Sequence, residues 1–137
     1  MSEIPKKPRF LWNAIIALYF QVVTNAGGGV LLVYFAGVEA DHGREAPEMT
    51  VLGYVSIVIA AALLAGAVLV TRGVAWARIP ITVFESLAIL SGLITLVSGV
   101  VTGVAGIALG VLVLVTLFRH EANDWFATVK EIRLARR

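Results

Sequence analysis

The chain has no cysteine among its 137 residues, which excludes a disulfide framework, thiolate metal sites and the C-x-x-C-H haem motif. It also leaves no side chain for thiol-based lipid anchoring. Histidine is scarce too, with only His42 and His120. Charge is thin: Asp, Glu, Lys and Arg make up 15% of the residues, against 59% apolar. A soluble domain carries about a quarter charged residues. No Ser-His-Asp set, metal-ligand cluster or phosphate-binding loop is visible, so neither enzymatic activity nor a cofactor is expected. At this length residues 1–137 are expected to form one membrane domain.

The distribution of charge says more than its amount. Phe10 to Val38 and Met49 to Thr71 carry no charge, and Ile79 to Phe118 carries only Glu85. A hydrocarbon core of about 30 Å needs roughly 20 helical residues. The third run would measure about 60 Å as one helix, so it must fold back, and Ser98-Gly99 lies at its midpoint. The runs are too uniformly apolar for barrel strands, which alternate between lipid and lumen. The expectation is an all-α bundle of four transmembrane helices, at about 10–37, 49–71, 79–97 and 100–118, with a tight outer hairpin between spans three and four. From Glu121 onward, Trp125, Phe126, Val129 and Ile132 recur near helical spacing beside Lys130, Arg133, Arg136 and Arg137. An interfacial helix over about 121–135 is expected to lie along the membrane surface.

Lysine and arginine set the orientation. Lys6, Lys7 and Arg9 precede the first span, Arg72 and Arg78 separate the second and third, and Arg119, Lys130, Arg133, Arg136 and Arg137 follow the fourth. Only Arg44 falls on the other side, in a loop with Glu39, Asp41, Glu45 and Glu48. Both termini are therefore expected in the cytoplasm of a bacterial plasma membrane, facing an anionic inner leaflet. The net charge of +2 needs no nucleic-acid partner. Trp12, Trp76 and Trp125 fall at the same boundary, where an amphipathic ring is favoured. The stretch from Lys6 also resembles a signal peptide, with Val38-Glu39-Ala40 as the cleavage site, but its apolar run is about twice the usual length. A retained span is the expected outcome.

Glu85 is the one charge inside a span, and ionisable residues at such depth are functional candidates by default. It is expected either to couple a proton or cation, or to be held structurally by Arg78, Arg72 or Asn13. In the first span Gln21, Thr24 and Asn25 share a face, and amides in hydrocarbon seek partners on other helices. Gly27-Gly28-Gly29 follows, and either forms a packing groove or breaks the helix. Ala61-x-x-x-Ala65, Ala62-x-x-x-Gly66 and Gly106-x-x-x-Gly110 offer further small-residue faces. The acidic loop with His42 matches no defined cation-binding pattern.

The stretch Arg72-Gly73-Val74-Ala75-Trp76-Ala77-Arg78, a span with Glu85, a hairpin and then Trp125-Phe126 resembles small four-helix membrane proteins common in actinobacteria. The resemblance implies a fold and no activity. Small multidrug-resistance transporters keep their essential glutamate in the first span, where this chain has Asn13 and Gln21. Dual-topology fluoride channels have a weak charge bias, unlike this chain. The expected function is an accessory, assembly or interaction subunit, as a homo-oligomer or with another membrane protein. The alternative is a small transporter or channel centred on Glu85.

Overall fold

The computed structural model describes residues 3–137, whose regular structure is all helix, with a non-helical N-terminal segment and short turns between the helices. The helices are α1 (Arg9–Asp41), α2 (Pro47–Thr71), α3 (Arg78–Val97), α4 (Gly103–Leu117) and α5 (His120–Ala135), with one 3₁₀ turn at Ala75–Ala77. Pro47 and Pro80 both fall in a first helical turn, where the missing N–H has no intrahelical partner to lose. Three segments, α1, α2 and Ala75–Val97, are long and apolar enough to cross a membrane. A fourth crossing exists if α4 and α5, bent by 55° at their junction, form one broken span. These helices make the chain a multi-pass membrane protein. The straight fourth span expected over 100–118 is replaced by a 15-residue α4, which covers only about 22 Å.

The described residues fall into two compact units: Leu18–Ala65, and the chain through Ala17 together with Gly66–Arg137. Within Leu18–Ala65, α1 and α2 touch backbone to backbone. A methyl group on Gly29 would stand 2.6 Å from the Gly53 carbonyl oxygen and 3.1 Å from the Ile57 nitrogen. One on Gly53 would stand 2.8 Å from Gly29 O and 3.1 Å from the Val33 nitrogen. α1 runs unbroken through Gly27-Gly28-Gly29, so the glycines do not break the helix.

The α3–α4 hairpin of the other unit repeats this plan. A methyl group on Gly92 would stand 2.8 Å from the Gly103 carbonyl oxygen and 3.3 Å from the Ile107 nitrogen, and one on Gly103 would abut Gly92 O and the Leu96 nitrogen. Gly53, Ala60 and Leu63 are buried in α2, and Gly103, Gly110 and Val113 are buried at the matching positions of α4. The two hairpins share one internal architecture. Their shared residues are small or aliphatic, and α2 and α4 match at one constant offset while α1 and α3 match at another, because the connection between the arms is shorter in the second hairpin.

Three turns rest on glycine in the left-handed region. Gly43 (φ +73°) follows α1, Gly73 (φ +74°) follows α2 and Gly99 (φ +85°) follows α3. In each, the next residue's N–H reaches back across the turn: Arg44 to Glu39 O at 2.9 Å, Val74 to Leu69 O at 2.9 Å, and Val100 to Thr95 O at 3.1 Å. The expected bend at Ser98-Gly99 is where the chain turns. The turn occupies Val100 to Thr102 as well, which shortens α4.

The basic end of the second unit has its own core. Leu11, Ala14 and Ile15 of α1, Ala67 and Val70 of α2, and Ile81, Val113 and Leu117 are buried there. α5 adds Ala122, Trp125, Phe126 and Val129, all buried. The helix expected over about 121–135 forms, and its apolar stripe is buried inside the protein. Each fully buried Phe- or Val-sized side chain stabilises by about 1.5–3 kcal/mol where the alternative is water. Trp125 Nε1 donates to Pro5 O at 3.1 Å, tying the N-terminal segment to α5. Trp12 and Trp76 remain exposed, as boundary rings should be.

Candidate functional site

Glu85 lies about 10 Å along α3 from Arg78 and is 1% exposed. It shares its face with Ile81, also 1% exposed. Gly110 admits α4 to this turn: a methyl group there would sit 2.7 Å from Ile89 Cγ1 and 3.2 Å from Glu85 O. The Glu85 main chain thus lies against α4, and its side chain is shielded from water. An ionisable group in that position is a candidate for proton or cation binding, or for fixing helix register.

The other residues singled out from sequence separate by role. Asn13 is on the exposed face of α1 and makes no described hydrogen bond. Gln21, in the unit Leu18–Ala65, is buried at 9% exposure. Asn25 donates from Nδ2 to Gln21 O at 2.9 Å, and the Thr24 hydroxyl donates to Phe20 O at 3.0 Å. Those two polar groups are answered by their own helix, not by a neighbour. In the acidic loop, Glu39 pairs with Arg44 at 2.7 Å, and His42 Nδ1 lies 2.7 Å from Val38 O. Among the described residues no group of three carboxylates or histidines could hold a metal ion.

Arg78, one of the partners the sequence offers for Glu85, makes hydrogen bonds to other groups. Its Nη1 donates to Leu117 O at 3.2 Å and to Asn123 Oδ1 at 2.5 Å, and its Nε donates to Ala75 O at 3.3 Å. The guanidinium also lies over the rings of Phe126 (4.5 Å) and Phe118 (5.3 Å). Arg78 therefore caps a carbonyl freed by the α4–α5 break and holds the bend. Asn123, its partner, carried no signal in the sequence, because the pairing spans 45 positions. Arg72 is exposed, and its carbonyl accepts from Arg133 Nη2 at 2.9 Å. Lys7 lies over Trp12 at 4.8 Å, and desolvation holds its ammonium below the usual lysine range.

Arg78→Met keeps an apolar stem and removes the fork. The expected loss is about 1.5–3 kcal/mol, the worth of hydrogen bonds to a charged donor. Thermal unfolding in detergent should register it, and hydrogen exchange should rise first in α5. Arg78→Lys should recover little, because one ammonium cannot reproduce the planar fork.

Compared with protein-family models, curated proteins and solved structures, the chain matches none, so what it does is argued from its own geometry.

Proposed function

We propose that the protein is a four-span integral membrane protein of the bacterial plasma membrane, with both termini cytoplasmic. It acts without enzymatic activity as an assembly or interaction subunit, receiving a transmembrane helix of a second copy or of another membrane protein. The observation that carries this reading is the surface of α1 at Gly27 and Gly28. Both are exposed, and a methyl group on either would meet nothing within 4 Å. Gly29 beside them is already used against α2. Thr24 and Leu31, one turn to either side, are exposed as well. In hydrocarbon such a dent is filled best by another helix, whose backbone can approach and gain dispersion contact. The placement of ten of eleven basic residues on one side supports the orientation.

Gly27→Leu with Gly28→Leu tests the proposal. The added side chains meet open space, and leucine is the better helix former, so the protomer should unfold no earlier than the parent. Chemical crosslinking in native membranes should lose the oligomer or partner band. An unchanged band would overturn this reading.

The burial of Glu85 favours a second reading, a small oligomeric transporter or channel in which this carboxylate couples a proton or cation.

A further inference from the structure

A cavity of about 280 Å³ opens at the basic end of the second unit, where α2 stops and α5 runs past it. Its polar lining is Arg72, Arg133 and Arg136, together with Thr71. Its floor is Trp125, Val129 and Ile132, with Ile4 at the side. No described lining residue is acidic. Among the described residues, neither Arg72 nor Arg133 is in a salt bridge. Two guanidiniums at one small space, with no described carboxylate against either, offer an anion charge-assisted hydrogen bonds.

Several features narrow the anion. Arg133 is braced by its bond to Arg72 O, so one guanidinium is already oriented toward its neighbour's loop. Guanidinium forks match phosphate oxygens two at a time. The apolar floor favours a ligand that joins its phosphate to hydrocarbon rather than a free ion. Arg72 directly follows α2, whose 25 apolar-rich residues end at Thr71, so the cavity lies at the depth of lipid phosphates. Its volume is at the low end for ligand pockets, enough for a headgroup while acyl chains stay outside.

We propose that this cavity is a binding site for the phosphate headgroup of an anionic phospholipid, with Arg72, Arg133 and Arg136 holding the phosphate and Trp125, Val129 and Ile132 receiving the glycerol backbone. Site-bound lipid differs from the diffuse attraction of a basic surface for an anionic leaflet. It depends on these three arginines and not on total charge.

Native mass spectrometry of delipidated protein, titrated with phosphatidylglycerol or phosphatidylcholine, reads the site directly. One phosphatidylglycerol should be retained per chain, and Arg72→Gln with Arg133→Gln should weaken it by about tenfold or more. Arg9→Gln with Lys130→Gln removes equal charge from the same end outside the cavity and should leave that lipid in place. Arg72→Gln alone guards against misfolding, because its guanidinium makes none of the described hydrogen bonds, and it should still weaken retention. Equal losses in the control pair would overturn the proposal, as would equal retention of phosphatidylcholine. Inorganic phosphate at millimolar concentration should fail to displace the lipid. Displacement there would reassign the site to a free phosphate and overturn the lipid assignment.

Discussion

Gly103→Val is expected to separate α3 from α4 and to cost the protein the upper end of the roughly 1–3 kcal/mol seen for overpacked cores. The reason is what the new Cβ would strike. It would abut Gly92 O and stand 3.0 Å from the Leu96 nitrogen, both main-chain atoms. A side chain can swing aside, but a helix backbone moves only as a whole. Gly106→Ala in the same helix is the contrast: its Cβ would find only Ala88 O, at an ordinary 3.8 Å, and alanine is the better helix former. That variant should unfold at the parent's temperature or slightly above. Thermal unfolding in detergent decides. Similar losses at both positions would mean the α3–α4 contact does not depend on glycine at all. Gly53→Val puts the same question to α1 and α2, since the Gly29 carbonyl lies 2.8 Å from its new Cβ.

That contrast also marks the limit of sequence reading in this chain. The charge-free runs locate the helices, because a bilayer leaves few ways to satisfy a backbone. Gly99 locates the hairpin because only glycine takes its backbone angle cheaply. Which small residues meet a partner is a question of rotation about each helix, and uniformly apolar helices carry no polar face to report it. Gly106-x-x-x-Gly110 is visible as a motif, yet the buried pair is Gly103 and Gly110. Ala61, Ala62 and Ala65 look like a packing face and are exposed, while Ala60 and Leu63 are buried. α5 is ambiguous for the opposite reason. Its amphipathic stripe is plain, but nothing local distinguishes a stripe meant for lipid from one meant for the protein. Arg78 stands near Glu85 in the sequence, whereas its hydrogen-bond partners Leu117 and Asn123 lie on α4 and α5 and give no local signal.

Glu85 gives the second large effect, and its substitutions divide the two functional readings. An acidic residue inserted at a helix centre costs about 2.5–3.5 kcal/mol, so its presence there at 1% exposure is a cost that something offsets. If the offset is structural, the side chain serves as a hydrogen-bonding group of fixed shape. Glutamine preserves shape and hydrogen bonding and removes the charge, so Glu85→Gln should fold and assemble as the parent does. Leucine preserves the bulk and removes the hydrogen bonding, leaving a buried polar group unanswered at about 1–3 kcal/mol. Glu85→Leu should therefore unfold at a lower temperature. If the offset is functional, glutamine is the damaging change, because a group that cannot gain or lose a proton cannot couple one. Proteoliposomes loaded with a pH-sensitive dye separate the cases. The assembly reading expects no flux from the parent or from Glu85→Gln, with only Glu85→Leu destabilised. Parent flux that Glu85→Gln abolishes at unchanged stability would overturn it, and would make Glu85 the coupling carboxylate of a transporter.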